Sequence, residues 1–135
     1  MLIIAQDIID QIIIHSRSEA PLEACGYLAE KDGVVCKCIS MKNIDASPVH
    51  YSMDPAEQFA AVRNCRAEGF TIRAVYHSHP ATAAYPSAED IKLAYDPALS
   101  YLIVSLAEST PRINSFIIRN DTILPEQIEI IGAKT

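Results

Sequence analysis

What this sequence lacks narrows its function before any motif is considered. No stretch approaches the ~20 consecutive apolar residues of a membrane-spanning helix. Basic residues are scarce: 11 Lys and Arg stand against 17 Asp and Glu, a formal net charge of −6. Nucleic-acid binding and contact with anionic membranes both need a positive surface, so the charge argues against either. The N-terminal run MLIIAQDIIDQIII is apolar, but it carries Asp7 and Asp10 and has no basic region ahead of it. It does not read as a signal peptide. The cysteines Cys25, Cys36, Cys38 and Cys65 contain no C-x-x-C pair. With no export signal, reduced thiols packed in a cytoplasmic protein are expected. Internal repeats, low-complexity tracts and linkers are absent as well.

What remains is 135 residues, half of them hydrophobic and 21% charged, enough for one domain with a real core and no need of disulfides. Ile8, Ile9, Ile12 and Ile13 recur at helical spacing, which predicts a helix over residues 6–18. His15 falls near its C-terminus, where an imidazolium suits the dipole and a structural or surface role is the plain reading. CGYLAE and VVCKCIS flank Lys31-Asp32-Gly33 as a hairpin, with Cys36 and Cys38 expected on one side of its second strand. Asp54 as N-cap, Pro55 at the first helical position, Glu57 and a terminal Gly69 punctuate a second helix. Its expected apolar face is Phe59, Val62 and Cys65. The run FTIRAVYHSHP reads as a strand, with Phe70, Ile72, Ala74, Tyr76 and Ser78 on a core face and His77 and His79 on a wetter one. A third helix is expected from Ser87 to about Tyr95, a central strand at YLIVSL (101–106), and further strands at INSFIIRN and around Glu126–Ile131. Strands mixed with three helices make an α/β domain around a central, mixed sheet.

The stretch YHSHPATAAYPSAED, residues 76–90, carries the chemistry. Ordinary structure accounts for much of it: a strand end, a proline-bearing loop, and a helix start in which Ser87 and Asp90 form a capping box. The same geometry also permits a metal site. Residues two apart on a strand point the same way, so His77 and His79 present two imidazoles to one point. Asp90, on the first turn of the next helix, can fold back as a third ligand. A catalytic zinc takes three protein ligands and keeps a fourth position for water, whose pKa it lowers to ~7. Ser87 could donate a hydrogen bond to a developing oxyanion. Other zinc patterns fail: there is no His-Glu-x-x-His helix and no deaminase H-x-E…P-C-x-x-C signature.

The spacing H-x-H-x7-S-x2-D, formed by His77, His79, Ser87 and Asp90, resembles the signature of the JAMM (MPN+) zinc metalloproteases. That family also carries a glutamate far upstream, before a small-residue–Cys–Gly turn into a strand, and PLEACGYL places Glu23 there. Among nine glutamates nothing else distinguishes Glu23. The resemblance implies a single domain over residues 1–135, an α/β fold with a central mixed, largely antiparallel sheet flanked by helices (MPN/JAMM-like, cytidine-deaminase-like). It also implies one Zn2+ per chain on His77, His79 and Asp90 with a water as fourth ligand, Glu23 as general base, and Ser87 steadying the tetrahedral intermediate. The reaction implied is that of a peptidase or isopeptidase. Only Ile91–Ser100 separates Asp90 from the next strand, too little for the ubiquitin-clamping insertions of deubiquitinating members. The chain resembles the minimal, stand-alone bacterial type, which points to a ubiquitin-like sulfur-carrier protein or peptide as substrate. An extended carrier tail is expected in a groove beside the metal, adding as a strand to a sheet edge. The alternative is a non-catalytic scaffold of the same fold, although such relatives lose the ligands that this chain keeps. His50 could line the groove or be an ordinary loop histidine, and Cys25 reads as a packed thiol.

Overall fold

The computed structural model describes residues 1–132. Eight strands form one sheet in the order β7-β6-β5-β4-β2-β3-β1-β8. The central strands are β2 (Cys25–Lys31), β4 (Thr71–His79) and β5 (Ser100–Ser105), with β3 (Val34–Met41) beyond β2 and β6 (Arg112–Arg119) beyond β5. The edges are β7 (Thr122–Glu126) on one side, and β1 (Leu2–Ala5) with β8 (Ile128–Ile131) on the other. Pairs β1·β3, β1·β8 and β4·β5 are parallel and the other four antiparallel, so the sheet is mixed. The helices are α1 (Gln6–Glu19), α2 (Pro55–Ala67) and α3 (Ala88–Lys92). Among the described residues no helix is long and apolar enough to cross a membrane.

The two edge strands β7 and β8 are consecutive in sequence with only Gln127 between them, so the sheet has to curl until its edges meet. Bulges assist the curl: both neighbours of β2 carry an extra residue near Ala29, Cys36 on β3 and Arg73 on β4, and a bulge bends and twists its strand. Glu126 fastens the junction. It accepts hydrogen bonds from Ser100 (2.6 Å), Ser115 (2.7 Å) and Arg73 (3.1 Å), and the Met1 ammonium lies 3.7 Å away. Burial alone would raise the Glu126 pKa, but the bonds from Ser100, Ser115 and Arg73 outweigh it and lower it.

The sheet is covered on both faces. Ile8, Ile9 and Ile12 of α1 pack with Leu28, Val35, Ala74, Tyr76, Leu102 and Val104 on one side. The other face holds two smaller clusters, Cys25, Tyr27, Met41, Met53 and Ala61 under α2, and Ala84, Tyr101, Ile103, Phe116 and Ile118.

Several local expectations need correction. The bulges shift the side-chain phase, so Cys36 is exposed while Cys38 packs with Val35, and Ile72 joins the α2-side cluster rather than the Tyr76 face. Phe59 is 67% exposed; α2 buries Cys65, as its spacing predicts, with Ala61 rather than Phe59 beside it. The third helix stops at Lys92. The tail forms two strands at opposite edges, and β1 precedes α1. His15 keeps the structural role of its plain reading, partly buried near the end of α1. Its Nδ1 lies 2.7 Å from the Tyr76 hydroxyl, and burial lowers its pKa against the pull of Glu19.

Tyr76 is wholly buried beside Gly26 of β2. A Cβ on Gly26 would stand 2.4 Å from both the Ile39 carbonyl oxygen and the Tyr76 ring. Gly26→Ala is therefore expected to cost about 3 kcal/mol of unfolding free energy through overpacking. Urea denaturation checks this, and a loss below ~1 kcal/mol would show that β2 yields without strain.

Candidate active site

The C-terminal end of β4 carries the site. His77 and His79 are 2% and 4% exposed, not on a wetter face, because Tyr51 covers one ring and the loop 80–87 covers the other. His77 Nε2 and His79 Nε2 lie 3.1 Å apart, and Asp90 Oδ2 lies 3.1 Å from the first and 3.0 Å from the second. Asp90 reaches them because α3 starts where it does. The Ser87 hydroxyl accepts the Asp90 N–H at 3.0 Å, and Asp90 Oδ2 accepts the Ser87 N–H at 2.9 Å. This reciprocal box fixes the carboxylate over the strand end.

The three atoms suit a cation. Ligand distances of 2.0–2.1 Å in tetrahedral geometry separate ligand atoms by about 3.3 Å, close to the triangle present. His79 Nδ1 stands 2.8 Å from the Ala83 carbonyl, which can only accept, so the proton sits on Nδ1 and a neutral ring turns the Nε2 lone pair toward Asp90. Lone pair facing carboxylate is repulsive unless positive charge lies between them. The titration shifts agree. Burial opposes charge on His79, but the Asp90 bond, the Ala83 carbonyl and the nearby Glu23 raise its pKa overall. Burial likewise opposes charge on Asp90, yet His77 and His79 hold it well below the usual carboxylate range. These three residues form a group able to hold a metal, with three protein ligands and so an open position.

Glu23 lies just before β2, and Cys25 pairs directly with His77. The segment is pinned to β4 by Ser78, whose N–H donates to the Ala24 carbonyl at 3.0 Å and whose hydroxyl accepts the Ala24 N–H at 2.8 Å. The Glu23 side chain is 3% exposed and its Oε1 has no hydrogen-bond partner. Burial pushes its pKa up to about 8, with Asp90 and Glu89 adding to the rise and His79 opposing it. It is a buried carboxylate beside the metal group but outside it. Cys25 is fully buried, its thiol pushed up to about 12 by burial, which leaves no thiolate for nucleophilic work.

A cavity of about 400 Å³ opens beside His77 and Asp90, with Tyr27, Met53, Val75, Tyr101 and Ile103 among its walls. Among the described residues its lining holds three carboxylates (Glu89, Asp90, Asp96) and no lysine or arginine. His50 does line it, with Nδ1 3.0 Å from Asp45. β4, which carries the two histidines, sits between β2 and β5 and is not itself an edge strand. Tyr51, stacked on His77 at 4.8 Å between ring centroids, belongs to the site and had no signal in the sequence beyond adjacency to His50.

Residues 5–118 match the family described as prokaryotic homologs of the JAB domain. The chain is 33% identical over 134 residues to the CysO-cysteine peptidase of Mycobacterium tuberculosis, covering 97% of this chain and 92% of that one. It is 36% identical over 109 residues to the desampylase of Haloferax volcanii, covering 76% and 78%. The solution structure of protein DSY2949 from Desulfitobacterium hafniense superposes with a TM-score of 0.89 at 43% identity, covering 97% and 93%.

Proposed function

The chain belongs to the prokaryotic JAB-domain family, and from that premise we propose that it is a zinc-dependent peptidase or isopeptidase cleaving at the C-terminal tail of a ubiquitin-like or sulfur-carrier protein in the cytoplasm. The observation that carries the proposal is the convergence of His77 Nε2, His79 Nε2 and Asp90 Oδ2 within 3.1 Å beside a buried Glu23. Relatives named as a peptidase and a desampylase support the same reaction type. We assign the whole of residues 1–135 to the catalytic domain.

In this reading His77, His79 and Asp90 hold one zinc per chain. Zinc there would act as a Lewis acid and bring a water's pKa to ~7. Glu23 is the general base: Oε1, which has no hydrogen-bond partner among the described residues, takes a proton from water as the water oxygen bonds to the acyl carbon, and delivers it to the leaving amine nitrogen as the acyl–nitrogen bond breaks. Ser87 is the oxyanion donor. Its oxygen already accepts the Asp90 N–H, which leaves the hydroxyl hydrogen free to turn to the substrate carbonyl oxygen. The cavity receives the tail, and its carboxylate lining favours neutral or cationic side chains over anionic ones.

Incubating zinc-loaded protein with carrier adducts and Gly-Gly-linked peptides, read by mass spectrometry, is expected to release the residue or partner beyond the terminal glycine. If none is turned over, the enzymatic reading gives way to a scaffold of the same fold.

A further inference from the structure

His77 and His79 are held in different ways. The His79 ring is fixed by its bond to the Ala83 carbonyl. His77 Nδ1 is buried with no hydrogen-bond partner, so no such bond orients its ring, although metal-binding histidines almost always have one. What lies against it is Tyr51, stacked at 4.8 Å with 29° between the ring planes. The Tyr51 segment is a loop between β3 and α2, so something must fix the loop.

That anchor is Asn43. A side-chain amide can donate twice and accept twice, and this one does all four. Its Nδ2 donates to the Glu23 carbonyl at 3.0 Å and to the His50 carbonyl at 3.1 Å. Its Oδ1 accepts from the Asp45 N–H at 3.1 Å and from the Ser52 N–H at 3.3 Å. His50 and Ser52 flank Tyr51, so both peptide neighbours of the stacking ring are tied to one side chain. The same side chain grips the backbone of Glu23.

We propose that Asn43 is a positioning residue of the reaction, setting the general base and one metal ligand together: Glu23 through its backbone, and His77 through Tyr51. The proposal rests on the hydrolytic reading of the site for its catalytic half, while its geometric half stands without it. A small displacement of catalytic groups can cost about 100-fold in rate, so a single amide holding two of them has leverage that an ordinary loop staple lacks.

The four histidines give a sparse set of ring signals in proton–carbon correlation spectra, and the metal-free protein can be used. Tyr51→Leu defines the His77 shift when the stacked ring is gone. Asn43→Ala is expected to move the His77 signals at least half of that way and to leave those of His79 in place. With zinc and a cleaved substrate, kcat per folded molecule should fall about 30-fold with KM within about threefold. Asn43→Ser, which retains a short hydrogen-bonding group, serves the same test if the alanine variant does not fold. Unmoved His77 signals in a folded variant, or an unchanged kcat per folded molecule, would overturn the proposal. If the wild-type protein cleaves nothing, the hydrolytic reading has failed, and the spectra alone still decide whether Asn43 sets His77.

Discussion

Glu23→Gln is expected to lower turnover by about 1,000-fold, within the 10²–10⁴ range of general acid–base catalysis, while zinc content stays at one per chain. Gln matches Glu in shape but cannot take a proton, and Glu23 is not among the three groups able to hold a metal. The same substitution has an opposite effect on stability. Burial raises the Glu23 pKa from 4.5 to about 8 in the folded, metal-free protein, so the folded state keeps a proton that the unfolded chain gives up at ordinary carboxylate pH. The native state binds more protons between those values, and stability therefore falls as pH rises from about 4.5 to about 8. A shift of that size is on the order of a few kcal/mol. Gln does not ionise, so metal-free Glu23→Gln should match wild type near pH 4 and exceed it near pH 8, as read by denaturant titration at the two pH values. Turnover above a tenth of wild type removes Glu23 from the mechanism. Equal stability at pH 8 would mean that its carboxylate is not desolvated. A residue that destabilises the resting fold and matters only with metal and substrate present is the pattern expected of a catalytic group.

The sequence shows most clearly what local periodicity and capping encode. Alternation along β4 places His77 and His79 on one side, and the Ser87–Asp90 box announces where α3 begins. Both are short-range, and both appear in the structure. The burial of the histidines was not legible, because the covering groups, Tyr51 and the loop 80–87, arrive from elsewhere in the chain. Alternation also failed at Cys36 and Ile72, where a bulge inserts a residue, Cys36 itself and Arg73, so that the side-chain phase differs on its two sides. Phe59 reads as core on helical spacing, yet α2 turns its small residues inward and leaves that ring out. The strands β1 and β8, at one end of the sheet, have only four residues each, too short for a periodic signal, and their pairing joins the two ends of the described chain. Glu23 stands out only by resemblance to a family. Asn43 has no pattern at all, since its four bonds join two separate loops, its own and the one that carries Glu23.

Replacing Asp90 is expected to have the other large effect, and two variants separate the residue's two roles. Asp90 Oδ2 both closes the capping box and faces the two histidines. Asp90→Ala removes cap and ligand together: zinc binding should be lost, turnover abolished, and about 1 kcal/mol of stability sacrificed at the start of α3. Asp90→Asn keeps an oxygen that can accept the Ser87 N–H, so it should retain the ~1 kcal/mol of the cap and lose only the attraction between carboxylate and histidines. The charge is gone, however, and the amide is a poor zinc ligand. Metal affinity should then fall by more than about 100-fold, since changes to groups behind the ligands already cost 10–100-fold. Metal content by mass spectrometry and thermal melts of the metal-free proteins make the comparison. Chelation of wild type supplies the reference, with activity lost and then restored by added zinc. The acid limb has a defined sign as well. His77 and His79 hold the Asp90 pKa below that of an unfolded aspartate, so its contribution to metal-free stability is complete above the unfolded value and disappears as pH falls toward the folded one. Wild-type zinc affinity in Asp90→Asn, or full turnover after chelation, would end the case for a metal held by this trio. If Asp90→Asn instead melts like Asp90→Ala, the carboxylate's ionic contact with the histidines, rather than the cap, is what holds α3 in place.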